Sequence, residues 1–136
     1  MTDQFPKVTI MGAFHGNRTL PGLNDWLSEY GKSPLAGGRF KEDYMKVCLL
    51  SIRRDLRGWK VTKPPIITHF HYFENKKGVH RDVDNIHGFC VKVFHDALQK
   101  SGVIENDNPK WVENFTTEFQ WIDGTPYIQI EIEERG

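Results

Sequence analysis

At 136 residues and 15.8 kDa the chain has the size of one domain, 1–136, with room for a single hydrophobic core. With 38% hydrophobic and 26% charged residues and a mean hydropathy of -0.55, its composition excludes a disordered or fibrous chain. Its 18 Lys and Arg balance 18 Asp and Glu, so it lacks the overall basic excess usual in nucleic-acid binders.

No apolar run approaches the roughly 18 residues that a membrane helix needs, so no membrane partner is expected. Residues 1–12 contain no charged stretch leading into an apolar run, and no secretory leader is expected. Cys48 and Cys90 lie in apolar helical contexts, which fits a reducing cytoplasm and not a disulfide framework. The charge is divided along the chain: residues 39–63 carry a local net of +5, and residues 102–136 a local net of -6. Two ordinary solvated faces explain that division as well as a binding face does.

Residues 6–12 alternate weakly and predict a first strand. Residues 15–38, rich in Gly, Pro, Ser and Asn, read as a long connection. Tyr44, Val47, Cys48 and Ile52 form an apolar stripe that predicts a helix over about 40–57, basic on its other side and stopped at Gly58. The β-branched and aromatic run 65–74 predicts a strand, with a turn or hairpin-like link over 75–79. Ile86, Phe89, Cys90, Val93, Phe94, Ala97 and Leu98 recur at helical spacing and predict a helix over 86–98, ended near Gly102. Residues 115–122 and 126–133 alternate around Asp123–Gly124 and Thr125–Pro126, which predicts a C-terminal β-hairpin. The expected class is α+β: a small mixed sheet packed against two main helices.

The segment His80–Asn85 is chemically the most informative. In an extended chain Asp82 and Asp84 project to the same side. Two converging carboxylates repel, and a hard divalent cation such as Mg²⁺ resolves the conflict. Equally, Asp84 or Asn85 can cap the following helix while Asp82 pairs with Arg81. A second acidic spot, Glu105–Asn108, follows the helix and reads either as a turn or as a place where Asp107 returns to meet the pair. Lys92 is either a surface lysine or a cation aimed at a phosphate. His69, His71, His80, His87 and His95 lack the spacing of a zinc site. Trp59, beside Arg57 and Lys60, is either rim packing or a stacking platform for bases.

Arg81–Asp82–Val83–Asp84–Asn85, an amphipathic helix ending Asp96–Ala97–Leu98, and Gly102–Val103–Ile104–Glu105–Asn106–Asp107 together resemble the RusA family of Holliday junction resolvases, nearest its prophage-type branch in low-GC bacteria. Leu20–Pro21–Gly22–Leu23–Asn24, the basic helix near 40–57 and the strand 128–133 extend the resemblance over most of the chain. It implies a homodimeric α/β endodeoxyribonuclease, cytoplasmic and bacterial or prophage-encoded. Such an enzyme cuts four-way DNA junctions with Mg²⁺ or Mn²⁺ in recombination and repair. The implied catalytic residues are Asp82, Asp84, Asp107 and Lys92, the three aspartates holding metal. Arg53, Arg54, Arg57, Lys60, Lys76, Lys77 and Arg81 are the expected DNA contacts. The alternatives are a non-cleaving branched-DNA-binding protein of phage replication and a nuclease for flaps and forks.

Two positions depart from the family pattern. Asn106 stands where many members have a first aspartate. Asp84 and Asp96 are twelve residues apart, four more than in the founding member. Counted from Asp84 the family's lysine falls on Gly88; counted back from Asp96 it falls on Lys92.

Overall fold

The structure, a computed structural model, describes residues 5–16, 18–77 and 83–136, with Val83 and Asp84 described by backbone alone. Its elements are β1 (Lys7–Met11), α1 (Leu23–Lys32), α2 (Pro34–Leu56), β2 (Ile66–Asn75), α3 (Val83–Lys100), β3 (Val112–Ile122) and β4 (Tyr127–Glu134). This is an α+β architecture, a four-stranded mixed sheet with three helices among the described residues.

Alternate residues of three strands build the apolar face of the sheet: Val8 and Ile10, Ile66, Phe70 and Tyr72, and Ile128, Ile130 and Ile132 are all buried. The strand order is β1-β4-β2-β3; β4 is antiparallel to both neighbours and β3 is parallel to β2. The buried stripe of α3 lies on that face, with the Phe70 ring meeting the rings of His87, Phe94 and His95. Cys48, Ile52 and Leu56 bring α2 into the same core. Asp55 fastens α2 to β1 by accepting the Thr9 N–H at 2.7 Å, and Arg54 donates to the Thr9 carbonyl. Trp26 carries α1 onto α3 through an edge contact with Phe89, centroids 5.3 Å apart.

Three sequence expectations need correction. The connection 15–38 contains α1 and the first turn of α2. Asp25 bonds back to the Gly22 N–H, Ser33 caps Ala36, and Pro34 stands in the first turn of α2, where its missing donor costs nothing. The helix expected over 40–57 therefore begins at Pro34, and it ends on Arg57 in the left-handed region, φ 51°, ahead of Gly58.

The third correction concerns the C-terminal hairpin. Both strands exist, but they do not pair; they flank β2. Ile128, Ile130 and Ile132 are each 2% exposed or less, which suits β4 to a place between two strands, whereas most of β3 is exposed and takes the edge. The turn at 123–126 is held to the end of β2, where the Asn75 side chain donates to the Gly124 carbonyl at 2.8 Å.

Gly37 and Gly38 separate packing from helix propensity. A Cβ at Gly37 would meet the Tyr30 ring at 2.4 Å, while one at Gly38 meets nothing within 4 Å. Gly38→Ala is expected to raise the unfolding free energy by about 0.4–1 kcal/mol, and Gly37→Ala to lower it, in paired urea titrations.

Candidate functional site

The seven apolar residues of the α3 stripe are each 4% exposed or less, which fixes the rotation of the helix about its axis. Gly88, Lys92 and Asp96 then follow one another at four-residue steps outside the stripe. After α3, Gly102 takes φ +85° and the Val103 N–H returns to the Leu98 carbonyl at 3.0 Å, turning the chain back along the helix. Asn106 accepts the Asn108 N–H and Asn108 accepts the Lys110 N–H, so side-chain turns hold the acidic segment.

That turn brings Asp107 to the C-terminal half of α3. The Lys92 ammonium lies 3.9 Å from Asp107 Oδ2 and 3.6 Å from Asp96 Oδ1. Asp96 also pairs closely with Lys41 of α2, and the Asp107 carboxyl is within hydrogen-bonding reach of it. Burial pushes the Asp96 carboxyl up, but the bond and charge of Lys41, with Lys92 and Asp107, bring it below its usual range. Lys41 is 22% and Asp96 17% exposed, whereas Lys92 is 51% exposed and presents its ammonium to solvent.

At the other end of α3, Asn85 Oδ1 accepts the Asn24 N–H at 2.8 Å. Gly88 lies against Leu23, where a Cβ would come within 3.3 Å. Of the two positions that counting gives for the family's lysine, Gly88 is thus taken up by helix packing and Lys92 carries the cation beside Asp107. Asp84 is the second residue of α3, twelve residues before Asp96 and so about 18 Å away along the axis. Asp107 meets Lys92 and Asp96. Asp82 and Arg81 lie outside the described residues.

The expected DNA contacts divide into two groups. Arg53 and Lys60 line a shallow groove with Trp59, Ser101 and Val103 at the C-terminal end of α3, and exposed Arg57 adjoins them. Arg54 is committed to Asp55, 2.8 Å away, and its bond is the main cause that holds the Asp55 carboxyl below its usual range. Lys76 and Lys77 follow β2, with the Lys76 ammonium 3.2 Å from Asp123.

Sequence reasoning passed over Asp96, Lys41 and Asn24 as parts of this arrangement. The four-residue step from Lys92 to Asp96 was a usable signal; nothing local pointed to Lys41. The histidines of β2 and α3 have protein partners. On the sheet face away from the helices, His69 bonds Thr116 at 2.7 Å and Glu133 at 2.8 Å, and His71 lies 3.7 Å from Glu118. On α3, buried His87 bonds the Tyr72 hydroxyl.

Buried His95 bonds Thr68 at 2.7 Å. Burial, with His87 nearby, lowers its imidazole to about 4 from an ordinary 6.5. The folded state thus resists protonation, and stability falls as pH drops from about 6.5 toward 4, by about 3 kcal/mol in all. His95→Gln is expected to remove that slope from the wild-type profile, measured by urea unfolding at pH steps.

No helix of the described residues is long and apolar enough to cross a membrane. No family model matches the chain, and no curated protein matches it.

Proposed function

We propose that the chain is a metal-dependent, structure-selective endodeoxyribonuclease that resolves four-way DNA junctions as a cytoplasmic homodimer. One observation supports this reading best. The sequence pieces that carry the resolvase resemblance are far apart in the chain but converge on one helix: Asn24 bonds Asn85 across 61 residues, and Lys92 stands beside Asp107.

Hard carboxylate oxygens suit Mg²⁺ or Mn²⁺, which would supply charge neutralisation at the phosphate and a water made acidic enough to attack it. Asp82, Asp84 and Asp107 are the donors this reading assigns to the metal, and of these Asp107 has a described side chain. Asp107 lies with Lys92, and among the described residues no three His, Cys, Asp or Glu side chains are arranged to hold a metal. In this reading Asp82, Asp84 and Asp107 hold the cation, and the Lys92 ammonium offsets charge developing on the phosphate. Lys41 neutralises Asp96, leaving Lys92 for that task.

A second reading, a branched-DNA-binding protein that does not cut, gains from the same ion pairs. Asp96 and Asp107 are already balanced by Lys41 and Lys92 and have no need of a metal.

The deciding assay uses a labelled synthetic four-way junction with Mg²⁺, Mn²⁺ or EDTA, wild type beside Asp82→Asn, and linear duplex and flap as controls. The expected result is paired, metal-dependent cuts in the junction, reduced in the variant by more than the roughly 100-fold range of second-shell changes. Junction binding without any cleavage selects the second reading, and preferential cutting of the flap moves the substrate to flaps and forks. Binding titrations against salt test the DNA face. Arg53→Ala and Lys60→Ala are each expected to reduce the slope of log K on log salt by about 0.9. Arg54→Ala should change the slope less and lower stability instead, since Arg54 is bound to Asp55 and Thr9.

A further inference from the structure

β3 is the outer strand of the sheet, and no strand among the described residues pairs with its far edge. It is 11 residues long, and contains no proline. Its only charged residue between Asn114 and Trp121 is Glu118. Its one irregularity, opposite Ile66 and Ile67, lies at its start. Edge strands are usually shortened, kinked or charged to prevent pairing; β3 is long and carries a single charge and no irregularity over residues 114–121, which leaves that stretch a template for another strand.

The direction of its free groups follows from two bonds. Ile122 accepts the Lys76 N–H on the β2 side. The Phe115 N–H is taken by Asn114 Oδ1 at 2.8 Å instead of by β2. Backbone groups of successive strand residues alternate between the two edges, so Thr117 and Phe119 offer both N–H and C=O outward, and Phe115, whose N–H is held by Asn114, offers its C=O. Phe115 is 44% exposed, and Phe119 on the same face is only partly buried.

We propose that two copies of this chain associate by antiparallel pairing of β3 with β3 about a two-fold axis at Thr117, joining their sheets into one. In that register Thr117 faces its own copy and Phe115 faces Phe119 of the partner subunit. Asn114 faces Gln120 of the partner subunit, and Thr116 faces Glu118 of the partner subunit. Aromatic meets aromatic, amide meets amide, and no like charges are opposed. Sliding the centre to residue 118 sets Glu118 against its own copy, and sliding it to 116 sets Phe115 against threonine; both forfeit the match. The surface is isologous, as a closed dimer requires. This names the interface for the homodimer in the proposed function, but its test involves no DNA, so the two can fail separately.

Sedimentation of the full chain is expected to give a dimer. Thr117→Cys should then form a disulfide-linked dimer under mild oxidation, because facing residues in a hydrogen-bonded antiparallel pair lie about 5.5 Å apart at Cα. Wild type is the control, since Cys48 and Cys90 are both buried. Thr117→Pro removes only an outward N–H and leaves the ladder to β2 intact. With an unchanged circular dichroism spectrum, it should weaken the dimer more than about tenfold, and Phe115→Lys should do the same. A chain that stays monomeric overturns the proposal and leaves the edge to a strand from another protein. A dimer that neither variant weakens, and that Thr117→Cys does not cross-link, overturns it in favour of another surface.

Discussion

Burial of one side of α3 sets the position of the charged and polar groups along that helix. Seven side chains of that helix are withdrawn from water, and each large one contributes about 1.5–3 kcal/mol. An exposed ion pair contributes about 0–1 kcal/mol. The apolar side therefore determines how α3 is rotated, and the charged side follows. Turning the helix by one residue would carry Lys92 toward the core and expose Val93. Both ends are held as well, by Asn24 at Asn85 and by the return of Val103 to Leu98. The charged residues of α3 thus need no energy of their own to be held in place.

Asp96 illustrates how the charged side is balanced. Its burial opposes ionisation, and the close contact with Lys41 more than offsets this. Because Lys41 lies on α2, the pair also fastens the two helices beside the contacts of Phe40 and Tyr44 with Phe89. Removing Asp96 would leave Lys41 partly buried without its carboxylate, which costs more than the pair itself gains. Lys92 adds its charge to this balance at 3.6 Å, but more weakly than Lys41. Half-exposed between Asp96 and Asp107, it can exchange a carboxylate for a phosphate without stranding a buried charge.

Much of the fold was legible because its signals are local and periodic. The stripe of α3 fell on the buried side of a helix, and β1, β2, β3 and β4 each stand where alternation placed them, within a few residues. Where local signals compete, the reading failed. Gly31, Ser33, Pro34, Gly37 and Gly38 speak for a loop, yet Gly37 lies under the Tyr30 ring and Pro34 occupies a helix start, so two helices run through that stretch. Strand pairing is not local at all: the turn at 123–126 is as good a link across β2 as a hairpin. In the candidate site, the four-residue step from Lys92 to Asp96 was visible, but the meeting of Lys41 with Asp96 needs the α2–α3 crossing.

The net charge of zero was the weakest guide to function, for a reason that the architecture supplies. The exposed cations Arg53, Arg57 and Lys60 belong to the helical layer and the loop that follows it, while Glu131, Glu133 and Glu118 project from the opposite face of the sheet. A helix layer and a sheet together are about 20 Å thick. Screening in 0.1 M salt acts over about 10 Å, so a polyanion at one face feels little of the other. Opposite charges that cancel in a sum do not cancel in space. The division of charge along the sequence carried this information, because the basic run is α2 and the chain after it, whereas the acidic run is β3, β4 and the turns around them. The acidic run meets the helical layer locally, where Glu134 takes the Thr62 and Lys63 N–H groups and where Asp107 reaches Lys92, and the outer carboxylates Glu118, Glu131 and Glu133 stay on the far face of the sheet.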